Sequence, residues 1–270
     1  MPVVTMLNQK GGVGKTSTCY HLAGTLAQLG RRVLLVDNDP QASLTQGFLG
    51  PQTTRQLGTA ETIAAVYAQD AVADQVVRDV GVSGIDLLAG SRLATDYNIP
   101  NPHEADWPTQ VALRDFLTDV AGRYDLVLID CPPNLHLCSW AALVASDSLV
   151  VPLQPEDFGA QGIADVQESV DRVIGGPNPA LSLLGFLITM HNARAAVHQV
   201  FEQRLRTLYG EAVFETMVPI SLDFKEAIIQ RKPVAQYKPR GAAAKAIKAL
   251  AIELAVRLEG QGGASRTEAA

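Results

Sequence analysis

With 270 residues, 47% of them hydrophobic and 19% charged, the chain has an ordinary globular composition, which excludes the disordered and fibrous classes. No run approaches the ~20 apolar residues that span a bilayer, and Met1-Pro2-Val3-Val4 lacks the basic-then-apolar pattern of a secretory leader, so a cytoplasmic protein without membrane attachment is expected. The formal charge of −6 taken alone argues against nucleic acid, but residues 1–190 carry 10 basic and 20 acidic side chains while residues 191–257 carry 11 and 6, which leaves room for a late basic face.

In chain order, short apolar, β-branched runs at 3–7, 32–37, 85–89, 125–130, 148–153, 183–190 and 213–218 predict buried parallel strands. Between them, amphipathic segments at 15–29, 60–67, 109–123, 135–145, 160–174, 197–209 and 242–258 predict helices. Strand and helix alternate almost to the end, so the fold class is α/β: a doubly wound, mostly parallel sheet flanked by helices. Residues 50–58 and 98–107, rich in Pro, Thr and Asn, are expected as surface loops. A single domain over 1–258 and a flexible tail over 259–270 follow, because the Gly-rich end has nothing to bury. Ile247, Leu250, Leu254 and Leu258 form one stripe without Trp or Phe, which favours a core-docked last helix over a membrane anchor. Cys19, Cys131 and Cys138 form no C-x-x-C pair and are expected as small buried hydrophobes. The five histidines are scattered, and no nucleophilic Ser/His/Asp or Cys/His set is visible.

Directly after the first predicted strand stands Lys10-Gly11-Gly12-Val13-Gly14-Lys15-Thr16-Ser17, followed at once by a helical pattern. This is a P-loop in its required context. Its glycines let backbone amides curl around an anion, the helix directs its positive end at the phosphates, Lys15 reaches the β- and γ-phosphates, and Thr16 offers a hydroxyl to Mg²⁺. A dinucleotide-binding loop would reach a third glycine where Lys15-Thr16 stands. Lys10 is a second cation at the loop entrance, either idle in solvent or neutralising further phosphate charge. The second strand ends in Asp37-Asn38-Asp39-Pro40-Gln41, placing two acids on one face at the carboxyl edge of the sheet, where their repulsion is costly unless they share a cation. A second apolar strand ends in Asp130-Cys131-Pro132-Pro133.

Lys10 through Ser17 resembles the deviant Walker A box of the ParA/MinD ATPases, and the resemblance covers nearly the whole chain. It implies a homodimer that sandwiches two ATP molecules, with Lys10 as the signature lysine that reaches across to the partner's nucleotide. It also implies that Asp37 belongs to the magnesium shell, that Asp39 positions the attacking water, and that Asp130 holds Mg²⁺ through water as in a Walker B segment. The catalytic set is then Lys10, Lys15 and Asp39, the metal set Thr16, Asp37 and Asp130, and the cofactors ATP or ADP with Mg²⁺. Val151-Pro152-Leu153-Gln154, Thr189-Met190-His191-Asn192-Ala193-Arg194 and Lys232-Pro233-Val234 also resemble family segments, more like those of partition ATPases than those of MinD. With its first strand at residue 3, the chain is not expected to carry the helix-turn-helix extension of some plasmid ParA proteins, nor to bind an operator.

Such ATPases hold nucleoid DNA without sequence preference and are released when a ParB-type adaptor stimulates hydrolysis, so plasmid or chromosome segregation is the implied role. Arg194 matches a family arginine, whereas Asp223 stands where another is usual. Lys225, Arg231, Lys232, Lys238, Arg240, Lys245 and Lys248 are the candidates to replace it, since phosphate contacts need no base reading and dimerisation doubles their number. Positioning of a protein cargo, such as a carboxysome or chemotaxis cluster, is an alternative within the resemblance. A metabolic P-loop ligase of the dethiobiotin or cobyrinate synthetase type is an alternative outside it.

Overall fold

The computed structural model describes residues 1–155 and 160–267. Seven strands, β1 (Val3–Met6), β2 (Val33–Asp37), β3 (Val77–Asp79), β4 (Ile85–Leu88), β5 (Leu126–Asp130), β6 (Ser148–Leu153) and β7 (Ser182–Ile188), form one sheet in the order β3-β4-β2-β5-β1-β6-β7. Every pairing is parallel except that of the edge strand β3 with β4.

Alternation along the strands feeds two cores. Val3, Leu34, Val36, Val127 and Ile129 face one, and Val4, Met6, Val33, Leu35, Leu126 and Leu128 face the other. Burial on both faces is why these strands read as unbroken apolar runs. Helices Ile63–Tyr67, Trp107–Asp119 and Leu137–Ala145 cover the first core, and Lys15–Gln28, Ser43–Leu49 and Leu222–Ile229 cover the second. The last helix docks on the second core through Ile247, Leu250 and Leu254, each at most 1% exposed. No described helix is long and apolar enough to cross a membrane.

The structure departs from the sequence reading at four places. Residues 213–218 form no strand: beside β7 the segment makes an isolated bridge between Val213 and Phe186, and the amides of Phe214 and Val218 reach the Phe186 and Ile188 carbonyls, both at 2.9 Å, without a continuous ladder. The Glu253 carboxylate takes the amide protons of Glu215 and Thr216, both at 2.8 Å, which removes them from any ladder. Strand β3 was not anticipated; it has three residues with a charged pair, Arg78-Asp79, too short for a period-2 signal. Within the expected loop 50–58, Pro51–Gln56 is a helix with proline in its first turn, where the missing N–H costs nothing. The last helix continues past Leu258 to Thr267, and the Gln261 side chain accepts a hydrogen bond from the Ser148 hydroxyl at 2.8 Å, a docking contact that composition does not reveal.

Candidate nucleotide site

The carboxyl ends of β1, β2 and β5 lie level: Asp130 stands opposite Met6 on one side and Asp37 on the other. The loop that leaves β1 is held from several directions. Asn8 donates its side-chain amide to the Pro152 carbonyl at 2.7 Å and accepts the Lys10 amide at 2.9 Å. The Gln154 amide donates to the Gly12 carbonyl at 2.8 Å, and the Thr189 hydroxyl donates to that of Val13 at 2.7 Å. Gly12 and Gly14 have φ of 78° and 85°, a left-handed backbone that side chains resist. Gly14 caps helix Lys15–Gln28 with no side-chain bond, leaving the first-turn amides to an incoming anion.

Lys15 folds back over this loop, 6% exposed, and donates to the carbonyls of Asn8 at 2.8 Å and Lys10 at 3.2 Å. Burial lowers its pKa, and the Asp130 carboxylate opposes that shift. Lys10 points outward: it is exposed, and its ammonium has no partner among the described residues.

Asp130 is fully buried, and among the described residues neither carboxyl oxygen has a hydrogen-bond partner of full geometry, the Thr16 hydroxyl standing nearby. Burial drives its pKa well above the usual range, repulsion from Asp37 adds to this, and the neighbouring Thr16 hydroxyl offsets part of it. Asp37 is equally buried and is raised to about 7 by desolvation, against the stabilising bonds from the Thr45 amide at 2.7 Å and hydroxyl at 2.6 Å. The Thr45 hydroxyl in turn accepts the Gly90 amide at 2.8 Å. A Cβ at Gly90 would come within 2.6 Å of the Asp37 carboxyl carbon, so only glycine fits there. Asn38 points the other way, donating to the Cys138 carbonyl at 2.6 Å and accepting from the Tyr67 hydroxyl at 2.7 Å. Asp39 then emerges into a concavity shared with Gly11, Gly12, Gly14, Lys15, Thr16 and Ser17. Burial raises its pKa, and the Gln41 amide fixes one oxygen at 2.9 Å.

Three buried carboxyl oxygens, Asp37 Oδ1 and both of Asp130, thus lack partners beside the Thr16 hydroxyl. Hard oxygen donors of this kind suit Mg²⁺. Among the described residues no group of three His, Cys, Asp or Glu side chains gathers around one point, so protein ligands alone make no closed cage.

A family profile described as an AAA domain matches residues 1–183. The chain is 39% identical over 258 residues to the chromosome-partitioning ATPase Soj of Thermus thermophilus, covering 95% of this chain and 96% of that one. The chain belongs to the ParA/Soj family of chromosome-partitioning ATPases. The ParA protein of Caulobacter vibrioides is 33% identical over 265 residues, covering 94% of each chain. A crystal structure of cobyrinic acid a,c-diamide synthase from Mycobacterium smegmatis, solved with an ATP analog and magnesium, superimposes with a TM-score of 0.79 at 26% identity, over 93% of this chain and 92% of that one.

Against this ParA/Soj frame, the expected nucleotide residues Lys10 through Ser17, Asp37, Asp39 and Asp130 converge on one edge of the sheet. The candidate DNA residues Arg194, Lys225, Arg231, Lys232, Lys245 and Lys248 are all exposed. The Arg194 loop is tied to the start of the basic segment by a bridge between His191 and Pro219 and by the Ile220 amide on the His191 carbonyl at 3.0 Å. Asp223, in place of the usual arginine, consumes a cation: it accepts the Lys238 ammonium at 2.8 Å and raises its pKa. Sequence reading missed Asn8, Thr45, Gln154 and Thr189 as residues that shape the site. Gln154 and Thr189 lie in segments that resemble the family, but the bonds they make are long-range. It also missed His21, whose Nδ1 accepts the Val234 amide at 3.0 Å and ties the P-loop helix to the C-terminal segment. Burial lowers the His21 pKa to about 3, so the ring is neutral.

Proposed function

We propose that this protein is an ATP-driven partition switch: it binds ATP with Mg²⁺, closes into a homodimer, holds DNA without sequence preference, and opens when a ParB-type adaptor stimulates hydrolysis. The observation that supports this most is the division of labour between two lysines. Lys15 is already buried in its own phosphate cradle, whereas Lys10 extends free at its mouth. Within one protomer Lys10 adds little, but across a two-fold interface it meets a second triphosphate.

In this reading Lys15 neutralises the terminal phosphates, while Thr16, Asp37 and Asp130 hold magnesium, which supplies charge neutralisation of the phosphoryl group. Asp39, fixed by the Gln41 amide, orients the attacking water. Arg194, Lys225, Arg231, Lys232, Lys245 and Lys248 supply phosphate contacts that double on dimerisation, so ATP switches DNA affinity without a new contact in the protomer. The protein acts in the cytoplasm on the nucleoid, and its cargo is plasmid or chromosome DNA.

Size-exclusion chromatography and DNA retention of Asp39→Ala, in ATP and in ADP, test this directly. A DNA-bound dimer is expected only in ATP. Equal DNA retention in both nucleotides, or wild-type turnover that ignores DNA and requires a small metabolite, overturns the proposal.

A further inference from the structure

Outside the phosphate cradle, beside the loop after β2, lies a polar cleft lined by Gln41, Gln46, Arg55, Ser91 and Arg92 among others. Among the described residues no carboxylate lines it. Arg32, Arg78, Arg114, Arg123 and Arg172, in the same acidic part of the chain, each pair with an Asp or Glu, whereas Arg55 and Arg92 have no such partner among the described residues. Two arginines lining one cleft that holds no described carboxylate form a receptor for an anion, and planar guanidinium forks suit phosphate oxygens.

The cleft continues the basic surface. Gly50, with φ of 81°, opens helix Pro51–Gln56, and the Arg231 guanidinium lies against it so closely that a Cβ there has no room. Arg55 sits in the last turn of that helix. Gly50 and Arg55 are thus about 7.5 Å apart along the helix axis. Arg231 and Arg55 therefore bracket a path from the C-terminal basic segment to the loop that carries Asp39.

We propose that Arg55 and Arg92 form a second phosphodiester contact, which extends the DNA-binding surface past Gly50 to the switch loop. The proposal rests on the DNA reading above and adds a physical link to hydrolysis. A phosphate seated in the cleft lies against Gln41, whose amide holds Asp39 and whose carbonyl accepts from Gln46 at 2.9 Å. DNA engaged there steadies the backbone that positions Asp39.

The test is the salt dependence of binding to a fluorescent duplex of mixed sequence, with a non-hydrolysable ATP analog bound. Arg92→Ala removes two contacts from a dimer, so the slope of log K against log salt should flatten by about 1.8, with roughly 60-fold weaker binding at about 0.1 M salt. Arg55→Ala should behave alike, and Arg92→Lys should keep the slope because it keeps the charge. Affinity for the ATP analog should not change in any of them, which shows that the fold and the cradle are intact. An unchanged slope in both alanine variants, while Lys232→Ala lowers it, overturns the cleft contact and leaves the DNA reading standing. Binding of inorganic phosphate that needs Arg92, together with an unchanged DNA slope, assigns the cleft to a small phosphorylated ligand and also overturns it. A wild-type protein that ignores the duplex in both nucleotide states overturns both.

Discussion

Thr45→Val isolates the network that keeps a buried carboxylate beside the phosphate cradle. Valine matches threonine in shape, so no cavity opens, but two hydrogen bonds vanish: hydroxyl to Asp37 at 2.6 Å and Gly90 amide to hydroxyl at 2.8 Å. The first is to a charged acceptor and is worth about 1.5–3 kcal/mol, and the stranded Gly90 amide costs a further ~1–3 kcal/mol. The backbone amide of Thr45 still donates to Asp37, so the site is weakened rather than erased. A loss of about 3–5 kcal/mol is expected, a large share of the ~5–15 kcal/mol that holds a typical domain. Urea unfolding near pH 8, with Asp37 ionised, measures it through tryptophan fluorescence, and Thr45→Ser should recover most of the loss. A Thr45→Val midpoint displaced by less than the equivalent of ~1 kcal/mol refutes the assignment.

Further outcomes follow from the same site. Lys15→Ala should fold normally, because the carbonyls of Asn8 and Lys10 that it leaves can turn to water, yet it should lose on the order of a hundredfold in ATP affinity from missing charge-assisted bonds worth ~3 kcal/mol. Equilibrium binding of a fluorescent ATP analog reads this, and wild-type affinity would contradict the role given to Lys15. Asp37 has its folded pKa raised to about 7, above the unfolded value, so the nucleotide-free protein binds more protons than the unfolded chain between roughly pH 4 and 7. Its stability should fall as pH rises through 7, and binding of ATP with Mg²⁺ near neutrality should release protons, as Asp130 also must. Calorimetry in two buffers of different ionisation enthalpy counts those protons; equal heats in both would sink this account of the metal site.

Most of the site was legible because it is built from residue types with few other uses. A Gly-rich turn between a doubly buried strand and a helix marks a phosphate-binding edge by its context, and the family resemblance supplies the metal roles expected of Asp37 and Asp130. Short elements such as Val77–Asp79 and Pro51–Gln56 escaped because they carry too little pattern, and most of the rest that escaped is long-range. Thr189 lies 176 residues from the Val13 carbonyl it holds, and Gln154 lies 142 from Gly12. The run 213–218 has strand composition, but Glu253, far along the chain, takes its amides. The missed cleft has the same origin: Arg55 and Arg92 stand apart in an acidic stretch, and only folding brings them together and lays Arg231 over Gly50.

The central claim is that Lys10 acts across the interface on the partner's triphosphate. Light scattering coupled to size-exclusion chromatography tests it most directly, comparing Asp39→Ala with Lys10→Ala/Asp39→Ala. With ATP and Mg²⁺ the single variant should run at twice the chain mass of 28.8 kDa, and the double variant at 28.8 kDa with nucleotide still bound. A double variant that pairs as fully as the single one, or pairs equally in ADP, contradicts the account.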